Sequence, residues 1–401
     1  MLSYGLTLSQ VRSSTLPSNR SEKLGVSGIR VIFEKAQSIP DVIRLEFGEP
    51  DFDTPQNIKD AAIKAISSGK TKYTSGAGIL ELRRAISQKL DSENKISYDP
   101  MKEIVVSTGA TGGINLSLLA TLDEEDEILV PNPGWATYAY AVNLVGAKPI
   151  LYSMNLSSNY SFQREEAESK ITPKTRAILI NSPSNPMGSV FSRKDIRTIA
   201  EFAADHDLVV ISDEVYEKFL YSDTGSPLEH VSIASLPEMK DRTVTINSFS
   251  KTYAMTGWRI GYVAANQKIA LAMSKINTAA NSCISTISQF AALEALTGTQ
   301  DSVRSMIETY RKRRDVIVRS ANRIRGFSCA IPRGAFYVFP EIKESGLSSM
   351  DLSLKILEEA HVATVPGSAF GSNGEGHLRL AYANSLENIE LALERIGKIL
   401  N

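Results

Sequence analysis

Apolar β-rich runs alternating with helical stretches through the middle of the chain predict an α/β fold built on a mostly parallel sheet covered by helices. Three observations carry this expectation. Runs at 103–107, 127–130, 177–181, 208–212, 243–246 and 259–264 recur along the chain. Several are nearly continuous Val, Ile and Leu, the pattern of strands buried on both faces. Helical patterns such as 195–206 lie between them.

From about residue 300 the pattern changes. Residues 306–325 read as a long charged helix, 335–339 and 377–383 as strands, and 350–360 as a further helix. Leu386, Ile389, Leu393, Ile396 and Leu400 mark one face of a last helix. Asn384 and Glu387 have the spacing of a capping box at its start. A smaller α+β domain is therefore expected at 300–401, beside a large domain at 54–299. Residues 1–53 are expected to supply an arm and a share of the small domain. At 401 residues, the chain has room for both domains.

Composition narrows the function classes. The chain is 42% hydrophobic and 22% charged, with a net charge of −1. That balance gives no electrostatic case for nucleic acid or an anionic membrane as partner. Only Cys283 and Cys329 are present, so neither a disulfide framework nor a cysteine zinc site is expected. His206, His230, His361 and His377 are scattered, so no metal is expected. No apolar run approaches the roughly 20 residues of a membrane span. Residues 1–20 are polar and Ser-rich, a loose arm rather than a signal peptide, and a cytoplasmic location is expected.

Five segments follow predicted strands, where open α/β sheets place their ligands. Ser248, Ser250, Lys251 and Arg259 lie together after 243–246. A partly desolvated lysine there suits Schiff-base chemistry, and the arginine fork suits a phosphate. Alone, the stretch also fits a surface lysine beside a core tryptophan. Asp213, with Tyr216 just beyond, ends the run 208–212. This acid could hold a protonated ring nitrogen or simply cap a helix. Gly109, Ala110 and Thr111 open an apolar helix, an anion site or a plain strand–helix turn. Neither a GxGxxG fingerprint nor a P-loop ending is present, which argues against a nicotinamide-dependent dehydrogenase. Asn185 lies in the turn Asn181-Ser-Pro-Ser-Asn-Pro-Met-Gly188 and could donate to a ligand oxygen. Arg379, between Leu378 and Leu380, could bind a carboxylate or pair with a buried acid.

Together the segments resemble the class I aminotransferases of the fold-type-I pyridoxal-phosphate enzymes, especially the prokaryotic aspartate/aromatic subgroup. The resemblance runs from Gly48-Glu-Pro-Asp-Phe-Asp-Thr-Pro55 through Lys72-Tyr73 and Asn132-Pro-Gly-Trp135 to Arg379. It implies pyridoxal 5'-phosphate as cofactor, with Lys251 as the Schiff-base lysine and Asp213 on the ring nitrogen. Asn185 and Tyr216 resemble the pair on the phenolic oxygen, and Trp135 the aromatic stacked on the ring. Ala110, Thr111, Ser248 and Arg259 match phosphate contacts, with Ser250 beside them. Tyr73 matches a tyrosine reaching the partner subunit's phosphate, which implies a homodimer with composite sites. Arg379 matches the binder of the substrate α-carboxylate, Gly48 a backbone contact near it, and Ile29 a pocket-wall residue.

Two positions depart from the family pattern. Met187 stands where a threonine is usual. Thr111 stands where aspartate-specific relatives carry a lysine, although Arg30 or another cation could substitute. The activity implied is ping-pong transfer of an amino group from an L-amino acid to a 2-oxo acid such as 2-oxoglutarate, with Lys251 moving the proton. A neutral or aromatic donor, or a broad range, is expected, with aspartate still open. A C–S β-lyase on the same scaffold and a non-catalytic cofactor-binding regulator are the alternatives.

Overall fold

The computed structural model describes residues 28–154, 160–222, 228–342 and 346–400, with Ser18, Ser21 and Gly25 as isolated positions. The arm expected at 1–20 lies outside the described residues apart from Ser18. The strands are β1 (Ile43–Arg44), β2 (Ile104–Ser107), β3 (Glu127–Asn132), β4 (Lys148–Ser153), β5 (Thr175–Asn181), β6 (Val209–Asp213), β7 (Thr243–Ser248), β8 (Gly261–Ala264), β9 (Tyr337–Val338), β10 (Val362–Ala363), β11 (Val365–Pro366) and β12 (Leu378–Ala381).

Strands β2 to β8 form one seven-stranded sheet in the order β2-β8-β7-β6-β5-β3-β4. β8 runs antiparallel to both neighbours, and the other pairings are parallel. Alternate residues of each strand enter cores on opposite faces. Ile128, Val130, Leu179, Ile211 and Val263 pack with Ile114 and Leu118 of helix Gly109–Thr121. Leu129, Ile178, Ile180 and Val210 pack with Ile196 and Ile199 of helix Arg193–Asp205. Burial on both faces is why these runs are apolar throughout rather than alternating.

The expected strands are all present with ends shifted by a residue or two, and β1, β4, β10 and β11 are additional. β4 is one edge of the seven-stranded sheet, half-exposed and carrying Pro149, whereas β2 at the other edge is buried. An edge strand tolerates proline and polar positions, so its sequence lacks the apolar run of its neighbours. The run expected at 259–264 begins as a strand only at Gly261. Arg259 ahead of it has φ 50° and belongs to the turn.

The first segment joins the C-terminal part through pairing. β1 pairs in parallel with β10, and β11, β12 and β9 form an antiparallel sheet. Helix Asp301–Ala321 nevertheless shares one core with the rest, since Met306, Tyr310 and Ile317 cluster with Ile58, Leu82 and Phe249. The capping box expected at Asn384 and Glu387 gives way to a single cap one residue later. Ser385 caps helix Leu386–Leu400 by accepting the Asn388 N–H (3.1 Å), while Asn384 Oδ1 accepts the Ser385 N–H (2.9 Å). Asn384 also donates to the Arg44 carbonyl (3.2 Å), a tertiary contact that local spacing does not encode.

The Gly48-Glu-Pro-Asp51 segment is fastened to the long helix by a bidentate pair. Both Arg313 Nη atoms donate to Asp51, at 2.7 and 2.8 Å, and the guanidinium lies over Phe52 and Tyr310. Removing the acid leaves a buried guanidinium uncompensated. Asp51→Ala is expected to cost about 3 kcal/mol in urea unfolding, near the low end for such pairs because Asp51 is partly open to solvent. A loss below about 1 kcal/mol would mean that solvent screens the pair.

Candidate active site

The parallel strands all end at one sheet edge, and the residues just past those ends meet there. β2 leads to Ala110 and Thr111, β3 to Trp135, β5 to Asn185, β6 to Asp213 and Tyr216, and β7 to Ser248, Ser250 and Lys251. Because β8 is reversed, it begins at this same edge, and Ser107 and Ser248 both pair with Gly261. Arg259 is thereby delivered to the site from the opposite chain direction. A cleft of about 370 Å³ results. β12 contributes Arg379, β9 contributes Tyr337, and the segment after β1 contributes Glu46 to Glu49.

One end of the cleft is built for an anion. Helix Gly109–Thr121 begins there without a side-chain cap from Thr108. A side chain at Gly109, which has φ 71°, would meet the Arg259 guanidinium at 2.9 Å, so the arginine lies directly over the helix start. Ser248 accepts the Ser250 N–H (3.1 Å), and the two hydroxyls lie 2.9 Å apart. Helix-start amides, two hydroxyls and a guanidinium suit a phosphate.

The floor carries Asp213 and Lys251. Asp213 is buried, and its carboxylate accepts Tyr138 O–H (2.7 Å) and Val215 N–H (3.2 Å). Burial pushes its pKa up to about 6 against those hydrogen bonds. Lys251 Nζ donates to the Gly48 carbonyl. Burial lowers its pKa to about 8, with Glu49 opposing the shift and Arg379 and Arg259 assisting it. An amine in this state is a nucleophile and a proton carrier near neutral pH.

The other end suits a carboxylate. Arg379 is 3% exposed and lies over the rings of Tyr337 and Phe370. Its Nη1 donates to Asn185 Oδ1 (3.1 Å) and its Nη2 to the Glu46 carbonyl, while its buried Nε has no partner among the described residues. The Asn185 amide oxygen is thus taken, and its N–H groups are what it can offer the cleft. Tyr216 and Tyr337 share a hydrogen bond of 2.6 Å, and burial followed by each other's proximity keeps the Tyr216 phenol protonated.

Every site residue expected from the sequence lines this cleft, Ile29 and Gly48 included, except Tyr73. Tyr73 is 88% exposed on its own chain. Met187, the departure in the asparagine turn, is buried in the apolar core beside that turn. Tyr138, Asn181, Glu46, Glu49 and Tyr337 also line the cleft and escaped the sequence reading. Tyr138 was traceable, since it lies one helical turn after Trp135. Tyr337 and Glu46 arrive from distant segments that no local pattern connects. The lowered Lys251 pKa predicts early exposure of its free amine as pH rises. Competitive acetylation should give a Lys251 midpoint near 8, below surface lysines at roughly 10. A midpoint at or above about 10 would remove the proposed desolvation.

Comparison with known proteins extends this picture over the chain. A family model described as aminotransferase class I and II matches residues 40–396. An aspartate aminotransferase of Pyrococcus abyssi is 45% identical over 385 residues, spanning 96% of this chain and 98% of its own. Aromatic-amino-acid aminotransferase 2 of Thermococcus litoralis is 42% identical over 385 residues, with shares of 96% and 98%. The crystal structure of an aromatic aminotransferase from Pyrococcus horikoshii matches with a TM-score of 0.87 at 44% identity, covering 92% of this chain and 98% of that one. These likenesses lend no support to the lyase or the non-catalytic alternative. With a cleft of this chemistry and a likeness that spans nearly its whole length, the chain belongs to the class I and II aminotransferases and is an enzyme of amino-group transfer.

Proposed function

We propose that the cleft binds pyridoxal 5'-phosphate and moves an amino group from an L-amino acid to a 2-oxo acid in two half-reactions. The observation that carries this reading is the buried amine of Lys251 standing in one cleft with the buried Asp213 carboxylate and the anion-binding rim. The residues fit the group. Asp213 makes no ion pair with a protein cation among the described residues, so a ring nitrogen bearing a proton would supply its missing partner. When bound, the cofactor supplies an aldehyde and an electron-poor ring that acidifies the substrate Cα–H.

The chain's own groups then have distinct tasks. Ala110 and Thr111 N–H, Ser248, Ser250 and Arg259 would hold the phosphate. Asp213 would keep a proton on the ring nitrogen, and Asn185 and Tyr216 would donate to the phenolic oxygen. Trp135 would cover the ring. Arg379 would fix the substrate α-carboxylate through its guanidinium, beside the Gly48 backbone and Ile29. Lys251 Nζ, once free, would take the Cα proton and return it to the carbon that had carried the cofactor's aldehyde. Borohydride added with pyridoxal phosphate should fix the label on Lys251, and Lys251→Ala should lose turnover while remaining folded by circular dichroism. Near-wild-type turnover in that variant would sink the mechanism.

A homodimer with composite sites belongs to the same reading. Tyr73 is exposed on its own chain. The hollow beside Arg259 is lined by Glu49, Phe52, Thr256 and Ser285, an opening through which a second chain could reach the phosphate end. Light scattering that found an active monomer at assay concentration would refute this arrangement. A cytoplasmic location is proposed on the grounds that both substrates are small soluble metabolites, and cell fractionation tests it. Among the described residues no helix is long and apolar enough to cross a membrane.

The proposed donor is a neutral or aromatic amino acid, or a broad range. Among the described residues, the cations lining the cleft are Lys251, Arg259 and Arg379, each already assigned a task. Thr111 and Ile29 line it as uncharged groups, Glu46 is paired with Arg44, and Glu49 adds a further carboxylate. Arg30 does not line the cleft and bonds Glu34 on the surface (2.7 Å). An acidic side chain would lose hydration there with little return. The distal carboxylate of 2-oxoglutarate faces the same constraint and would have to be met at the open mouth or by the partner subunit. Under one acceptor, kcat/KM for phenylalanine, tyrosine, methionine and alanine should match or exceed that for aspartate. A lead for aspartate above about a hundredfold, roughly 2.7 kcal/mol, would require a cation from elsewhere.

A further inference from the structure

Glu214 and Glu217 lie beside Asp213 and Tyr216 in the chain but do not line the cleft. They turn into a buried polar network behind its floor. Glu217 accepts Lys89 Nζ, Asn94 Nδ2 (2.8 Å) and Asn247 Nδ2 (2.7 Å). Glu214 accepts Ser212 Oγ (3.0 Å) and Ser232 Oγ (2.6 Å), with His230 Nε2 at 2.9 Å. Glu214, Glu217 and His230 come close enough to suggest a cation site. Lys89 already supplies the positive charge and the carboxylate oxygens already have donors, so no metal is inferred.

The network's position matters more than its charge count. The ladder between β6 and β7 reaches Glu214, whose N–H donates to the Ile246 carbonyl (2.9 Å). One residue further along β7, side chains make the connection. Asn247 donates to Glu217 through Nδ2 and accepts the Ser248 N–H through Oδ1 (2.7 Å). A single side-chain amide therefore links the turn carrying Asp213 and Tyr216 to the turn carrying Ser248, Ser250 and Lys251. Helix Leu80–Lys89 anchors the link through Lys89.

We propose that Glu217 is a positioning residue for amino-group transfer, acting through Asn247 to fix the Asp213–Tyr216 turn against the Ser248–Lys251 turn. The proposal rests on the cofactor reading given above. The two turns would hold opposite ends of one rigid ring system, so an error in their spacing displaces Lys251 from the carbon it must deprotonate. Burial opposes ionisation of Glu217, but Lys89, His230 and Asn94 outweigh it and hold the carboxyl down at about 2. The link is therefore charged at any working pH. Groups supporting a reacting centre commonly change rates by about 10- to 100-fold when removed.

The test uses the holoenzyme and the variants Glu217→Ala, Asn247→Ala, Glu217→Gln and the double alanine. The readouts are kcat and KM for the amino donor, and the visible circular dichroism of bound pyridoxal phosphate, which reports its orientation. Each alanine variant should lower kcat by at least about tenfold with KM within about threefold, and should alter the dichroic band. The double variant should be little worse than the poorer single one, because both break one link. Glu217→Gln, which keeps an acceptor for Asn247, should recover most of kcat. Should Glu217→Ala fail to fold, Asn247→Ala and Glu217→Gln decide the matter. Wild-type kcat and dichroism in the soluble variants, whatever their loss of thermal stability, overturn the proposal. A wild type that forms no visible band with pyridoxal phosphate overturns the underlying cofactor reading as well.

Discussion

A parallel sheet buried on both faces can present chemistry only at its ends, and this constraint orders the whole molecule. Strands β2, β3, β5, β6 and β7 share one direction, so the turns after them converge on a single edge. The faces are filled mainly by apolar side chains such as Leu129, Ile178, Val130 and Leu179. Each turn contributes one or two functional side chains, and none could assemble the cleft alone. The reversed strand β8 adds Arg259 at this edge because its start lies where its neighbours finish.

The cleft concentrates charge that the protein itself leaves uncompensated. Asp213 and Arg379 are both buried, and neither is paired with an opposite charge among the described residues. Such placement is costly to the empty fold. The cost is met by hydrogen bonds from Tyr138 and Val215 to Asp213, by ring stacking on Arg379, and by a large surrounding core. What remains is a set of groups whose preferred partners carry a phosphate, a ring cation and a carboxylate. Lys251 stands between them with its charge weakened by burial.

The segment after β1 completes the wall. β1 is held by β10, and the Leu45 carbonyl accepts the Ala381 N–H (2.7 Å), which sets the strand beside β12. The chain then passes Gly48, where a side chain would meet the Tyr337 hydroxyl at 2.3 Å. Glycine there lets the backbone carbonyl approach Lys251. Asp51 next pins the segment to Arg313, so the wall is fixed at both ends.

The sheet strands were legible in the sequence because burial on both faces writes itself as unbroken apolar runs. β4 was not, since a half-exposed edge strand needs no such run. Lys251, Asp213, Asn185 and Thr111 were legible as site candidates because each sits at or just beyond a strand end, and Arg259 because it precedes the start of the reversed β8, positions defined by chain order. The parallel direction of the strands, read from the same alternation, already implied that they would meet. Tertiary structure decided what chain order does not carry. It placed Glu46 and Tyr337 against Arg379, moved the last helix cap from Asn384 to Ser385, and turned Glu217 away from the cleft toward Lys89 and Asn247. The cap aside, these contacts join residues tens to hundreds of positions apart. They depend on which surfaces pack once the core has closed, whereas local spacing records only the period and ends of each element.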